Sequence, residues 1–71
     1  MNISDSVTVL LRMCGMRQID LLRSLNMSSS QSLSNKFCGN RWSGTDLVNV
    51  ANATGTKLSF RLPDGKYLDL N

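Results

Sequence analysis

Apolar residues in the first half of the chain recur at helical spacing. Val7, Leu10, Leu11 and Cys14 stand at i, i+3, i+4 and i+7 and predict a helix over about 5–14, capped by Ser4 or Asp5 and ended by Gly15. Leu21, Leu22 and Leu25 form a second stripe, over about 17–25, with Arg17, Asp20, Arg23 and Ser24 on the polar side. Arg23 follows Asp20 by three and is placed to pair with it. Asn26 suits the left-handed position at that helix's end. Leu33 and Phe37, four apart, predict a third helix over about 30–38, behind a serine turn in which Ser30 or Ser29 is the cap. Ser43 to Asp46 (SGTD) match a capping box with aspartate at its third position, opening a fourth helix over about 44–54 with Leu47, Val50, Ala51 and Thr54 on one face. From Thr56 the period becomes two. Leu58, Phe60 and Leu62 alternate with Lys57, Ser59 and Arg61, Pro63-Asp64-Gly65 supplies a turn, and KYLDL resumes the alternation, so about 56–70 reads as a β-hairpin. Two strands alone are marginal in water, so the hairpin must pack on the helices, pair with another chain, or both.

Seventy-one residues form one domain, 1–71, which buries only about 60% of its unfolded surface, so dimerisation is a natural supplement to its core. Eight basic residues against five aspartates, with no glutamate and no histidine, give a net charge of +3, which suits a polyanionic partner without demanding one. Cys14 and Cys38 read as reduced, buried thiols rather than a disulfide framework, and two cysteines without histidine fall short of the four ligands of a structural zinc. No nucleophile has an evident base, and there is no Gly-rich phosphate loop. The expectation is therefore no enzyme, no metal and no cofactor. The opening MNISDSVTVLLRMCG lacks a basic leader region and Arg12 interrupts its apolar run, so neither a signal peptide nor a membrane span is expected and the protein is placed in the cytoplasm. Trp42, just before the SGTD cap, reads as a packing residue stapled to the following turn, and Met13, Met16 and Met27 as core fillers.

Residues 17–39 hold the candidate chemistry: two short helices joined by a tight polar turn, the layout of a helix-turn-helix DNA reader. The second carries Ser30, Gln31, Ser34, Asn35 and Lys36 on one side and Leu33 and Phe37 on the other. Gly15-Met16 before Gln18, Leu25-Asn26-Met27-Ser28 at the turn, QSLSNKF in the second helix and the following RWSGTDLVNVANATGTKLSF resemble the Cro and phage-repressor type (xenobiotic-response-element) helix-turn-helix regulators, over about residues 6–62. The chain departs from that pattern in having Arg17 where Thr or Ser caps the second helix, and a turn one residue longer.

The resemblance implies a mainly α fold: a lambda-repressor-like four-helix bundle with a helix-turn-helix, to which the hairpin is appended. It implies that Gln31, Ser34 and Asn35 face base edges in the major groove, that Gln18 meets a phosphate and braces the start of the recognition helix, that Ser30 caps that helix, and that Lys36 and Arg41 meet the backbone. Arg17 can reach a phosphate. Gln and Asn offer a donor beside an acceptor, matching adenine N6 and N7, whereas Lys neutralises phosphate without reading sequence. Leu58, Phe60 and Leu62 are the expected homodimer interface, with the hairpin on its own helices or paired edge to edge across a two-fold axis. Such a dimer sets two recognition helices about 34 Å apart for a pseudo-palindromic double-stranded operator. The expected function is a small phage or mobile-element repressor that occludes its operator. The alternative is a protein-interaction module, antitoxin-like or inhibitory, on the same fold.

Overall fold

The computed structural model describes residues 2–71, and in it the chain is mainly helical with a small antiparallel sheet. The elements are α1 (Ile3–Met13), α2 (Gln18–Ser24), α3 (Ser30–Gly39), α4 (Gly44–Thr54), β1 (Ser59–Arg61) and β2 (Tyr67–Asp69). Among the described residues no helix is long and apolar enough to cross a membrane.

Three of the four helices start on a residue whose side chain accepts from a free amide. Asn2, not Ser4 or Asp5, caps α1: its side chain accepts from the Asp5 amide at 2.8 Å and the Asp5 carboxylate turns back to the Asn2 amide. Ser43 and Asp46 make the expected reciprocal pair at 3.0 and 2.9 Å. Arg17 precedes α2 with no acceptor to offer, and only the return half of a box survives there, the Asp20 carboxylate accepting from the Arg17 amide at 2.9 Å. Ser29, the second of the two expected candidates, caps α3 by accepting from the Gln31 amide at 3.2 Å, and Ser30 is the first residue of the helix itself.

The helices end alike. Gly15, Asn26, Asn40 and Gly55 all take positive φ. After α1 the Met16 amide reaches the Leu11 carbonyl at 2.8 Å, and after α2 the Met27 amide reaches Leu22 at 3.2 Å, which satisfies carbonyls left over at the last turn and folds an apolar side chain back over it.

One residue or more from each helix meets in the core: Val7 and Leu11 of α1, Leu21 of α2, Leu33 of α3 and Val50 of α4. Leu21 is fully enclosed. Leu22, Leu25, Met16, Met27, Phe37, Trp42 and Leu47 pack around this centre half-buried. Three expected core residues lie outside it. Cys14, at the C-cap of α1, and Cys38, on the solvent side of α3 with Gln31 and Asn35, are exposed and unbridged, and Met13, in the last turn of α1, is 81% exposed.

A polar junction joins the start of α1 to the end of α3. Ser4 is buried, its hydroxyl donating to the Phe37 carbonyl at 2.8 Å and accepting from Trp42 Nε1 at 3.0 Å, while its amide donates to the Asn40 side chain at 3.0 Å. Trp42 stands edge-on to Phe37, ring centroids 5.0 Å apart. Its packing role is as expected, but the aromatic partner is on the preceding helix. Among the described residues no buried side-chain polar atom lacks a partner, so this junction fixes the angle of α3 where an apolar contact alone would permit sliding.

The hairpin pairs Ser59 with Asp69, Phe60 with Leu68 and Arg61 with Tyr67, and single bonds from Leu70 to Leu58 and from Leu62 to Lys66 extend the ladder at both ends. Its turn places Pro63 and Asp64 at the corner and Gly65 at φ 88°, with the Gly65 amide on the Leu62 carbonyl at 2.9 Å, a type I turn closed by a left-handed glycine. Asn71 ties the hairpin's root to α4, accepting from the Leu58 amide at 2.7 Å and donating to Asn52 at 2.8 Å. Beyond that root residues 60–70 are all exposed, and the molecule measures 41 × 22 × 20 Å.

Candidate nucleic-acid interface

Burial divides α3 into two sides. Leu33 is buried and Ser34, Lys36 and Phe37 are half-buried, turned toward the other helices, whereas Gln31, Ser32, Asn35, Cys38 and Gly39 face solvent. Gln31 and Asn35, one turn apart, are joined by a bond from Gln31 Nε2 to Asn35 Oδ1 at 3.0 Å, which holds both amides outward and leaves Gln31 Oε1 and Asn35 Nδ2 free to meet an external acceptor-donor pair. Ser34 is on the flank rather than the crest: with Gln18, Ile19, Leu22, Ser30 and Leu33 it lines a shallow depression of about 130 Å³ between the starts of α2 and α3. Gln18 is therefore beside Ser30 and Ser34 across that seam.

The cations are arranged differently from their sequence reading. Lys36 is engaged, its ammonium 2.8 Å from Asp46 Oδ2, with both side chains half-buried between α3 and α4. Arg17 is 78% exposed, with one nitrogen 3.4 Å from Asp20, so most of its guanidinium is open to an external anion. It takes the position that the sequence reading gave Arg23, which is not bonded to Asp20. Arg41 lies back along the end of α3 and shares a depression with Asn35, Cys38 and Gly39. It can do so because Gly39 has no side chain: a Cβ there would stand 2.9 Å from Arg41 Nε. Gly39, the last residue of α3, thus makes room for the cation at the C-terminal end of the exposed stripe.

Both carboxylates that touch these elements have lowered pKa values. Partial burial pushes the Asp46 carboxyl up, but the Lys36 ammonium and the hydrogen bonds from Ser43 outweigh it, and the group falls below its ordinary 3.8. Asp20 is lowered chiefly by the Arg17 amide, then by the Arg17 side chain. A folded pKa below the unfolded one stabilises the fold at pH above 3.8, and that stabilisation is lost as pH falls through the lowered value. Asp46→Asn is expected to cost about 1 kcal/mol at neutral pH and to flatten the acid limb of the stability curve, as urea titrations between neutral pH and pH 3 would show. An unchanged acid limb would mean that the Lys36–Asp46 contact contributes nothing.

Compared with protein-family models, curated proteins and solved structures, the chain matches none of them.

Proposed function

We propose that this protein is a sequence-specific double-stranded DNA-binding regulator in which α2 and α3 act as a helix-turn-helix and α3 enters the major groove. The observation that carries the reading is the solvent-facing Gln31–Asn35 pair, with Gln18 near the start of α3 and Arg41 at its end. Gln31 and Asn35 read bases, Ser34 and Ser30 contact the flank of the groove, and Gln18, Arg17 and Arg41 meet phosphates. Lys36 positions α3 through Asp46 instead of contacting the backbone. The protein acts in the cytoplasm without a cofactor or catalytic step, as a homodimer on a pseudo-palindromic operator, and represses by occupying it. The phage or mobile-element origin rests on the family resemblance alone.

Charge supports this reading only modestly, so salt is the discriminating variable. Each neutralised phosphate contributes a slope of about −0.9 to log K against log salt. Arg41→Ala is expected to weaken binding to every duplex and to reduce the slope by about one unit in fluorescence-anisotropy titrations. A flat salt dependence in the unmodified protein would favour the second reading, a protein-interaction module. The exposed apolar face of the hairpin is the observation on that side.

A further inference from the structure

None of the exposed large apolar residues among those described is on α3, and five of them, Phe60, Leu62, Tyr67, Leu68 and Leu70, are on the hairpin. Residues opposite one another in an antiparallel pair share a face, so the register sets Leu58 with Leu70, Phe60 with Leu68 and, at the turn end, Leu62 with Lys66 on one side, apolar but for the Lys66 ammonium at its tip. Phe60 is 59% exposed and Leu68 56% exposed. Leu58, at the root of this face, also lines a groove of about 310 Å³ between α1 and α4, walled by Ile3, Leu10, Leu47 and Val50. A single apolar surface therefore runs from the groove out along the hairpin.

The strand edges offer much less. Ladder bonds at Leu58–Leu70 and Leu62–Lys66 mark alternate pairs as bonded, which directs the outward backbone groups of β1 to Ser59 and Arg61 alone before Pro63, which has no N–H. Arg61 on one edge and Asp69 on the other further discourage added strands.

We propose that a second copy of this chain covers the surface, each hairpin laying its Phe60–Leu68 face over the partner's α1–α4 groove across a two-fold axis, with faces rather than edges in contact. The inference deepens the homodimer of the DNA-binding reading and rests on it only for the expectation of a dimer. A two-fold contact needs a patch that complements itself, and this one has a projecting apolar arm and an apolar groove on the same chain. Size agrees as well. Phe60, Leu62, Leu68 and Leu70 with Ile3 at the groove's rim are each 39–59% exposed, together roughly half of the about 800 Å² that each partner buries in a standard interface.

The test is sedimentation of the full chain without DNA, followed by isotope-filtered NOE spectra on a mixture of labelled and unlabelled protein. The unmodified protein is expected to be a dimer with intermolecular contacts from the Phe60 ring to Ile3 and Leu10 methyls. The double variant Phe60→Ser, Leu68→Ser should keep its helical circular dichroism, since both residues are exposed within one chain, and dissociate at least 100-fold more readily. A monomeric unmodified protein overturns the proposal, as do intermolecular contacts confined to the backbone of residues 59–61, which would mean edge pairing. A dimer with the expected contacts and no affinity for any duplex upholds this interface and removes the DNA-binding reading.

Discussion

Leu21→Ala is expected to cost about 3 kcal/mol of folding free energy, the largest effect of any single truncation in the chain. Leu21 has no exposed surface and sits where α2 meets residues of α1, α3 and α4, so the cavity left by its loss has walls on every side and little freedom to collapse. A domain of this length has a total stability of roughly 4 to 10 kcal/mol, so the variant should unfold at a visibly lower urea concentration, with a large drop in melting temperature. Leu22→Ala, one residue along and half-buried, should cost clearly less. Equal costs at the two positions would show that α2 is rotated from the orientation described.

The second large effect concerns reading rather than folding. Gln31→Ala and Asn35→Ala should each remove about 1 to 3 kcal/mol of discrimination at particular base pairs while leaving affinity for unrelated DNA nearly unchanged. Both side chains are exposed and bonded chiefly to each other, so the melting temperature should move little. Because they share a hydrogen bond, the losses should not add: removing one releases the other from its fixed rotamer, and the double variant should lose less than the sum. Uniform losses on all sequences would assign these residues to the phosphate backbone and move base reading elsewhere on α3.

Much of the helical architecture was legible because each helix has an apolar stripe, and several end at a glycine or asparagine. Gly15, Asn26 and Gly55 adopt the left-handed geometry their chemistry suggests, and the SGTD box forms as read. The first cap was misplaced for a physical reason. Asn2 and Asp5 have the same spacing as Ser43 and Asp46, yet Ser4 and Asp5 are also capping types, and only the fold shows that Ser4 is consumed by Phe37, Asn40 and Trp42. The stripe of α1 similarly predicted a buried Cys14, but the thiol comes after the last helical turn, beyond its packing partners.

Lys36 marks the limit of sequence reading at the candidate interface. A lysine on a polar helix face looks like a phosphate contact, and its partner Asp46 is ten residues away across a loop, so no local spacing announces the pair. Gly39 and Arg41 are similar: that a missing side chain makes room for the guanidinium is visible only once the chain has turned at Asn40. The solvent-facing position of Gln31 and Asn35 was legible because one helical turn separates them and Leu33 and Phe37 occupy the opposite side.

The most direct measurement is selection of bound duplexes from a randomised pool at near-physiological salt, followed by sequencing. An enriched inverted repeat with half-sites about one helical turn apart is expected, with loss of the preference at defined positions in Gln31→Ala and Asn35→Ala. Absence of any enriched sequence, with only weak salt-sensitive retention, would contradict the DNA-binding reading.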